Sequence, residues 1–193
     1  LLSSRRFLTS NNMKNNPDGE SIEVFAICYN EELMLPYFIE HYKSMGAKIS
    51  IFDNNSTDRS KEIILAAGLT YYLFNSNDQI RDDLYLNIKN SCWKNSTADW
   101  VIVCDIDEFL EIPFSTKPYT IINTKGYDML GLPGSRNGIY NRKYSKHIMF
   151  RPNMIKEINY KPGCHTCSPQ GKVVPSSEQA HLLHYKYTSE ETV

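Results

Sequence analysis

The central stretch of the chain is Trp100-Val101-Ile102-Val103-Cys104-Asp105-Ile106-Asp107-Glu108-Phe109-Leu110. An apolar run with strand character ends there in two carboxylates, Asp105 and Asp107, and a third follows. Side chains at i and i+2 of a strand share one face, so we expect this pair side by side where open α/β sheets bind ligands. Such carboxylates repel each other unless a cation separates them, and oxygen ligands suit Mg²⁺ or Mn²⁺. The stretch therefore predicts a divalent-cation site, with a solvated acidic turn as the alternative.

The composition bounds the class of protein. The chain has 193 residues, 41% of them apolar, which is enough for one domain with a sizeable core. The net charge is −1 with Lys and Arg scattered, so we expect no nucleic-acid partner. Apolar runs are too short for a transmembrane segment. Residues 1–6 lack an initiator methionine and a signal-peptide core, which is typical of a fragment, and further domains of a longer parent protein stay open.

The cysteines and the glycosylation sequons favour a cytoplasmic protein. Five cysteines do not form an even disulfide framework. Cys28 and Cys104 lie in apolar runs and are expected to be buried, whereas Cys164 and Cys167 form a lone C-x-x-C without a second pair for zinc. Sequons occur within residues 54–57 and 95–97, and the first lies in a loop that we assign to ligand binding.

Strand and helix patterns alternate three times in the first half of the chain. Residues 1–20 have no periodicity and are predicted to be a flexible arm. Strands are predicted at 22–28, 47–52, 69–74 and 100–104. Helices are predicted at 31–45, at about 57–67 and at 78–94, and the second of them would have Ser56 or Thr57 as its N-cap. Shorter strand-like pieces follow at 127–132, 147–152 and 180–185. This order predicts an α/β fold with right-handed parallel crossovers in a single domain, 21–193.

Three loops should leave the carboxyl ends of these strands and meet at one edge: residues 29–32, 53–58 and 105–108. Here the chain resembles the GT-A nucleotide-sugar glycosyltransferases, in particular the family-2-like branch and the related family 92 group. The resemblance rests on residues 25–32, 35–42 with Gly46, 53–58 and 99–110, and it returns at 182–185. A lone D-x-D motif is weak evidence, but four motifs in the right order on the right elements are specific.

The resemblance implies a GT-A, Rossmann-like, mostly parallel sheet flanked by helices. Residues 21–112 would form the nucleotide-binding half, and residues 113–193 would complete the metal site and bind the acceptor. The implied reaction moves a sugar from a nucleotide sugar, with a UDP-sugar as the expected donor, to a hydroxyl of a glycan or another acceptor. The residues implied in nucleotide binding are Ile27, Cys28, Tyr29, Asn30, Glu32, Asp53, Asn54, Asn55, Arg81 and Asp105.

Three of these residues have specific implied roles and equally specific alternatives. Tyr29 would stack on the base, or it is a core tyrosine. Asp53, with Asn54, would bind the edge of the base, or its carboxylate only closes an Asx-turn. Arg81 would face the diphosphate, or it is a solvated charge beside the acidic start of the third helix.

The same resemblance implies a Mn²⁺ or Mg²⁺ ion held by Asp105 and Asp107, the two residues assigned to catalysis. The ion would neutralise charge on the departing nucleoside diphosphate. Asp107 is the expected direct ligand, and Asp105 would bind the ion through water or reach the ribose. GT-A enzymes often complete the metal site with a late histidine, which His184 matches best, with His165 as the rival.

The catalytic base is not fixed by the sequence. Inverting transfer needs a carboxylate to deprotonate the acceptor hydroxyl. The Glu-Asp pair that many family-2 enzymes carry after the D-x-D is absent, which leaves Asp128, Glu157 and Glu178. The family-2 likeness favours inversion without deciding it. The loop at 132–138 is expected beside the acceptor, or it is a plain turn.

Other functions remain as alternatives at this point. A haloacid-dehalogenase-like phosphohydrolase also has a strand that ends in D-x-D, but it expects Thr or Val where this chain has Phe109, and usually on the first strand. A nucleotidyltransferase would need a Gly-rich basic loop after the first strand. A non-catalytic domain that binds sugar nucleotides, or a scaffolding domain, is the third alternative, because the Glu-Asp pair is absent.

Overall fold

The computed structural model describes residues 16, 18–77, 79 and 81–187. Most of the predicted flexible arm, 1–20, lies outside these residues. At its described end, the backbone N–H and the hydroxyl of Thr116 both donate to Asp18, at 2.7 Å. Glu20 pairs with Arg151 at 2.9 Å. These contacts join the start of the described chain to its second half.

The described residues form three α-helices and eleven strands. The helices are α1 (Leu35–Ser44), α2 (Ser60–Ala66) and α3 (Asp82–Ser91). The strands are β1 (Ile22–Cys28), β2 (Lys48–Asp53), β3 (Thr70–Leu73), β4 (Trp100–Asp105), β5 (Glu108–Glu111), β6 (Ile121–Leu130), β7 (Gly138–Tyr140), β8 (Met149–Phe150), β9 (Ile155–Glu157), β10 (Gln170–Gly171) and β11 (Pro175–Tyr187).

The predicted parallel half of the sheet is confirmed. β1 pairs in parallel with β2 on one side and with β4 on the other, and β2 pairs in parallel with β3. The register places Cys28 beside Asp53 and Ile27 beside Asp105. The three ligand loops therefore leave neighbouring strands at one edge, and each of the four strands predicted in this half matches the observed one within a residue at each end.

The second half extends the same sheet with mixed strand directions. The order is β3-β2-β1-β4-β8-β6-β11-β5, with β7 paired to β6 and a separate β9–β10 pair. β11 pairs in parallel with β6 and antiparallel with β5. This register sets His184 opposite Glu108 on one side and Asp128 on the other. A residue late in the chain is thus placed next to the D-x-D segment.

The strand at β5 was not predicted as a separate element, and it changes the position of Asp107. β4 ends at Asp105, and Ile106 and Asp107 form a tight turn into β5. Strand alternation therefore does not set the direction of the Asp107 side chain. The two carboxylates have separate partners instead of sharing one strand face.

The first helix begins later than its apolar pattern predicts. The backbone N–H groups of Met34 and Leu35 both donate to the carbonyl of Glu31, so residues 31–34 form a turn before α1. Pro36 lies in the first turn, as predicted, where its missing N–H leaves no helical bond unmade. Gly46 ends the helix with φ of 75°, a left-handed conformation that favours glycine.

The second helix begins at Ser60, so the predicted N-cap at Ser56 or Thr57 is wrong. The Ser60 backbone N–H donates to Asp58 Oδ1 at 2.9 Å. Ser56 Oγ is used elsewhere, because it accepts a hydrogen bond from the Asn30 backbone N–H at 2.9 Å. The loop before the helix is therefore built around contacts to the β1 loop.

Both predicted buried cysteines, Cys28 and Cys104, lie in the core, which spans the two halves of the sheet. All five cysteines are free. Within the part of the chain that the model describes, no helix is long and apolar enough to cross a membrane.

Candidate functional site

The loops after β1 and β2 are locked to each other by side-chain to backbone hydrogen bonds. Asn30, at φ 55°, accepts a bond from the Thr57 backbone N–H at 2.8 Å. Glu32 accepts one from the Arg59 backbone N–H at 3.0 Å. In the structure, the side chains of Asn30 and Glu32 thus hold the two loops together. Their predicted contact with a nucleotide stays a prediction.

Asp53 lies inside this loop pair and is buried, with 1% of its surface exposed. Its Oδ1 accepts a bond from Ser56 Oγ at 2.5 Å, and its Oδ2 accepts one from the Tyr71 hydroxyl at 2.9 Å. Oδ1 also accepts a hydrogen bond from the Ser56 backbone N–H at 3.3 Å. The carboxylate thus has the local role of the alternative, through a residue three positions on. Binding of a base edge by Asp53 stays a prediction.

Asn54 is buried beside it and joins the β2 loop to α3. Its Nδ2 donates to the Tyr85 hydroxyl and to Ser76 Oγ, both at 2.9 Å. Asn55 is exposed at φ 55°, which Asn tolerates better than most residues. Cys28 is fully buried at the end of β1. Cys28 and Asn54 are thus buried whereas Asn55 is exposed, so the three side chains do not form one surface. Their predicted contacts with a nucleotide stay predictions.

A cavity of about 270 Å³ opens at this edge of the sheet. Its wall includes five residues of the predicted loops: Tyr29, Glu31, Asp105, Ile106 and Asp107. Ile27, Tyr85, Lys89 and His184 complete the wall from other elements. The Tyr29 ring is 43% exposed and offers an aromatic face. A second cavity of about 180 Å³ shares Tyr85, Lys89 and Asp105 with the first. The two cavities lie side by side along α3, and together we call them the cleft.

Asp105 is neutralised by lysines from two other elements. Lys89 of α3 donates to Asp105 Oδ1 at 2.5 Å, and Lys146 Nζ lies 3.6 Å from Oδ2. Burial alone would raise the pKa of Asp105, but the charges of the two lysines hold it well below its usual range. Asp105 is therefore an oriented carboxylate with two cationic partners, and its predicted contact with a metal or a ribose stays a prediction.

The charge network continues from Lys146 to Glu108. Lys146 Nζ lies 2.5 Å from Glu108 Oε1, and both side chains are almost completely buried, with 4% and 1% exposed. Glu108 Oε2 also accepts a hydrogen bond from the Asp105 backbone N–H at 3.0 Å. Burial disfavours the charge on Lys146, but Glu108 and Asp105 raise its pKa above the usual range. The network fixes the first aspartate and the start of β5 together.

Asp107 has a different partner, His184 of β11. The distance from Asp107 Oδ2 to His184 Nε2 is 3.1 Å. Two ligands at right angles on a cation, with bonds of about 2.1 Å, lie about 3 Å apart. The donor set, one carboxylate oxygen and one imidazole nitrogen, also suits Mn²⁺ or Mg²⁺. The two residues therefore fit a shared divalent cation.

The protein supplies only part of such a site. No cluster of three or more His, Cys, Asp or Glu side chains that could hold a metal is found among the described residues. Mg²⁺ is usually bound by one or two protein ligands, with substrate phosphates and water completing the shell. The rival histidine, His165, is exposed and contacts the Lys143 carbonyl through Nδ1 at 2.7 Å. The contact with Asp107 is made by His184.

Glu31 is a site residue that the sequence analysis did not single out. It lines the donor-side cavity and a further cavity of about 250 Å³, which also includes Asp107, Leu132 and Tyr185. Burial and the nearby charges of Asp107 and Asp105 raise its pKa to about 7. Its position directly after the Tyr29-Asn30 pair was the available signal.

The raised pKa of Glu31 predicts a pH-dependent stability effect. In the unfolded chain Glu31 loses its proton near pH 4.5, whereas in the folded protein it does so at about 7. The folded state is therefore penalised as pH rises from about 4.5 to about 7, and the penalty persists above that. We expect Glu31→Gln to stabilise the protein by about 1–2 kcal/mol at pH 8, after allowance for solvent screening, and by less at pH 5.

Urea denaturation at the two pH values measures this effect. Glu62→Gln is the matched control, because Glu62 is a highly exposed glutamate on α2. A gain that is equal at pH 5 and pH 8, or equal in the control, would contradict the assignment.

The remaining candidates lie in places of different relevance. Arg81 donates two 2.8 Å hydrogen bonds to Asp83, as in the solvated-charge alternative, and its predicted diphosphate contact stays a prediction.

Among the candidates for the catalytic base, Glu157 pairs with Lys94 at 2.6 Å and Glu178 is exposed near the start of β11. Asp128 is the one that lies beside His184.

A cavity of about 410 Å³, larger than the three already described, lies outside the cleft, between α1 and the β5–β11 edge. Its wall includes His41, Arg136 and Tyr185, and the Tyr185 side chain also borders the 250 Å³ cavity beside Asp107. The Tyr185 hydroxyl donates to the Ser135 carbonyl at 3.0 Å, which holds the predicted acceptor loop against β11.

Comparison with protein families identifies the chain. A sequence model described as glycosyl transferase family 2 matches residues 23–176, which is most of the chain. The chain belongs to glycosyl transferase family 2. The resemblance drawn from the four motifs is thereby confirmed. A search among curated proteins finds no match.

Solved structures support the α/β GT-A fold class. S. aureus TarS is similar at 14% identity, with a TM-score of 0.51, over 86% of this chain and 36% of that one. Glucosyl-3-phosphoglycerate synthase from Mycobacterium tuberculosis, in complex with Mn²⁺, UDP and phosphoglyceric acid, is similar at 12% identity, with a TM-score of 0.50, over 83% and 66%. The chain thus spans about one third to two thirds of the lengths of these structures.

Proposed function

We propose that this family-2 chain is a metal-dependent glycosyltransferase that moves a sugar from a nucleotide sugar to a hydroxyl acceptor. A UDP-sugar is the proposed donor, and a glycan or another hydroxyl compound is the proposed acceptor. The observation that carries the proposal is the 3.1 Å pair of Asp107 and His184 at the boundary between two cavities. The Mycobacterium tuberculosis neighbour, whose structure contains Mn²⁺ and UDP, supports this choice of cofactor and donor.

On the donor side, each residue of the cleft has a task that follows from its position. The exposed face of Tyr29 would stack on the base. Asp105, held by two lysines, would accept a hydrogen bond from a ribose hydroxyl. Lys89, which lines both parts of the cleft, would place positive charge near the diphosphate.

Asp107 and His184 would hold the divalent cation. When bound, Mn²⁺ or Mg²⁺ supplies Lewis-acid stabilisation of the departing nucleoside diphosphate. A cation would be needed there, because the carboxylates of Asp107 and Glu31, which line the cleft, would otherwise repel the phosphates.

On the other side of Asp107, the 250 Å³ cavity would receive the acceptor. It is lined by Glu31, Leu132, Tyr185 and Lys186 together with Asp107, and it includes the start of the predicted acceptor loop. A hydroxyl bound there would lie across Asp107 from the donor cleft. Glu31, which borders both cavities, would exclude water between them.

The proposal is tested by incubating the chain with a panel of UDP-, GDP- and CMP-sugars and measuring nucleotide release with and without Mn²⁺. We expect release from UDP-sugars that depends on Mn²⁺ and rises when a glycan acceptor is added. Tight UDP binding without any release from any donor would instead favour the non-catalytic sugar-nucleotide-binding alternative. The phosphohydrolase alternative has no support from the family match.

A further inference from the structure

The second ring nitrogen of His184 faces a carboxylate on another strand. His184 Nδ1 lies 3.5 Å from Asp128 Oδ1. Both atoms are buried, and neither has a conventional hydrogen-bond partner among the described residues. Leaving a buried donor or acceptor unpaired destabilises the folded state, so two complementary atoms that face each other point to one slightly lengthened interaction.

Asp128 is itself fixed in place. It is adjacent to His184 in the parallel register of β6 and β11. Its other oxygen, Oδ2, accepts a hydrogen bond from Asn141 Nδ2 at 2.7 Å. The carboxylate is therefore oriented by one neighbour and directed at the imidazole with its remaining oxygen.

The imidazole ring is also held from its flat side. The ring of Tyr144 stacks on His184 with centroids 4.1 Å apart and an angle of 21° between the planes. The Tyr144 backbone approaches β6 so closely that a Cβ on Gly126 would lie 2.2 Å from the Tyr144 carbonyl carbon. Only glycine permits this approach. The ring is thus confined by Asp128 at one edge and by Tyr144 on one face.

We infer that Asp128 is a positioning residue for the metal ligand His184. It accepts a hydrogen bond from the Nδ1–H group, so that the Nε2 lone pair is available to the cation proposed between His184 and Asp107. Histidine ligands commonly pass their second N–H to a carboxylate in this way, which fixes the tautomer and the ring orientation. The inference rests on the proposed function, because it assumes the metal site.

This role differs from that of a catalytic base. A base must reach the acceptor hydroxyl, whereas the Asp128 oxygens are directed at His184 and Asn141. A positioning residue affects the affinity for the cation, and a base affects turnover alone. The two roles can therefore be separated by measuring metal binding directly.

The test is a Mn²⁺ titration of the whole chain in the presence of UDP, followed by electron paramagnetic resonance. We expect Asp128→Asn to weaken Mn²⁺ binding about 10–100-fold, the range typical of such outer partners. UDP binding without metal should not change. Glu178→Gln is the matched control, because it makes the same acid-to-amide change at an exposed site on β11, and it should leave Mn²⁺ affinity unchanged.

A second measurement needs no variant. Nitrogen-15 spectra of the wild-type imidazole with Mg²⁺ and UDP should show the proton on His184 Nδ1, and a proton on Nε2 would overturn the inference. An unchanged Mn²⁺ affinity in Asp128→Asn would also overturn the inference. If that variant kept its Mn²⁺ affinity but lost turnover, Asp128 would be a catalytic base instead. A wild-type chain that binds UDP but no Mn²⁺ would overturn the metal site and this inference together.

Discussion

Asp107→Asn is expected to lower Mn²⁺-dependent turnover about 1,000-fold. The amide removes the negative charge from one of the two residues that fit the cation. Metal stabilisation of transition-state charge is worth several kcal/mol, and about 4 kcal/mol corresponds to a factor of 1,000 in rate. The volume of the side chain hardly changes, so the variant should fold normally. The readout is the rate of nucleotide release at saturating Mn²⁺.

Asp83→Asn is the control for this experiment. Asp83 is an exposed aspartate at the start of α3 whose partner is Arg81. Its replacement should leave the rate within about twofold. An Asp107→Asn protein that keeps its full Mn²⁺-dependent rate would contradict the assignment of the cation to Asp107 and His184.

Lys146→Met should destabilise the folded protein by about 3–5 kcal/mol. Lys146 pairs with Glu108 at 2.5 Å and lies 3.6 Å from Asp105, and Glu108 is 1% exposed. Methionine has a similar length but no charge, so the variant leaves a buried carboxylate without its cation. Urea denaturation at pH 7 measures the loss of unfolding free energy.

The double variant Glu108→Gln with Lys146→Met separates the charge from the packing. Removing both charges should restore a large part of the lost stability, because a buried neutral pair carries no uncompensated charge. A double variant as unstable as Lys146→Met alone would show that packing, and not the ion pair, accounts for the loss. A loss below about 1 kcal/mol in the single variant would contradict the buried ion pair itself.

The parallel half of the fold could be predicted because its signals are local. The strand at Ile22–Cys28 and the D-x-D strand are short apolar runs bounded by polar loops, and they alternate with amphipathic helices. Once these strands are parallel, their carboxyl-end loops must meet. The clustering of the loops that contain Tyr29, Asp53 and Asp105 therefore followed from topology alone.

The helix starts were harder to predict because the first turns are governed by contacts between loops. Ser56 is a good N-cap residue by propensity. In the structure its hydroxyl accepts a bond from the Asn30 backbone, and the helix begins at Ser60. A contact across 26 residues thus outweighs a local capping preference.

The partners of the acidic residues could not be derived from spacing. The apolar periodicity of α3 predicts which of its residues face the core, but it does not predict the partner of a polar residue such as Lys89. Lys146 lies in an irregular segment with no periodicity. Their contacts with Asp105 depend on how α3 and the second half pack over β4. His184 was predicted from the family resemblance, and its contact with Asp107 arises from the antiparallel pairing of β11 with β5.

The metal site and the donor are tested together by calorimetric titration of the chain with UDP, once with Mn²⁺ and once with a chelator. We expect one UDP to bind per chain and Mn²⁺ to tighten binding at least tenfold, because the cation would join the diphosphate to Asp107 and His184. UDP affinity that is equal with Mn²⁺ and with the chelator would contradict the proposed metal site, and the absence of any UDP binding would contradict the proposed donor.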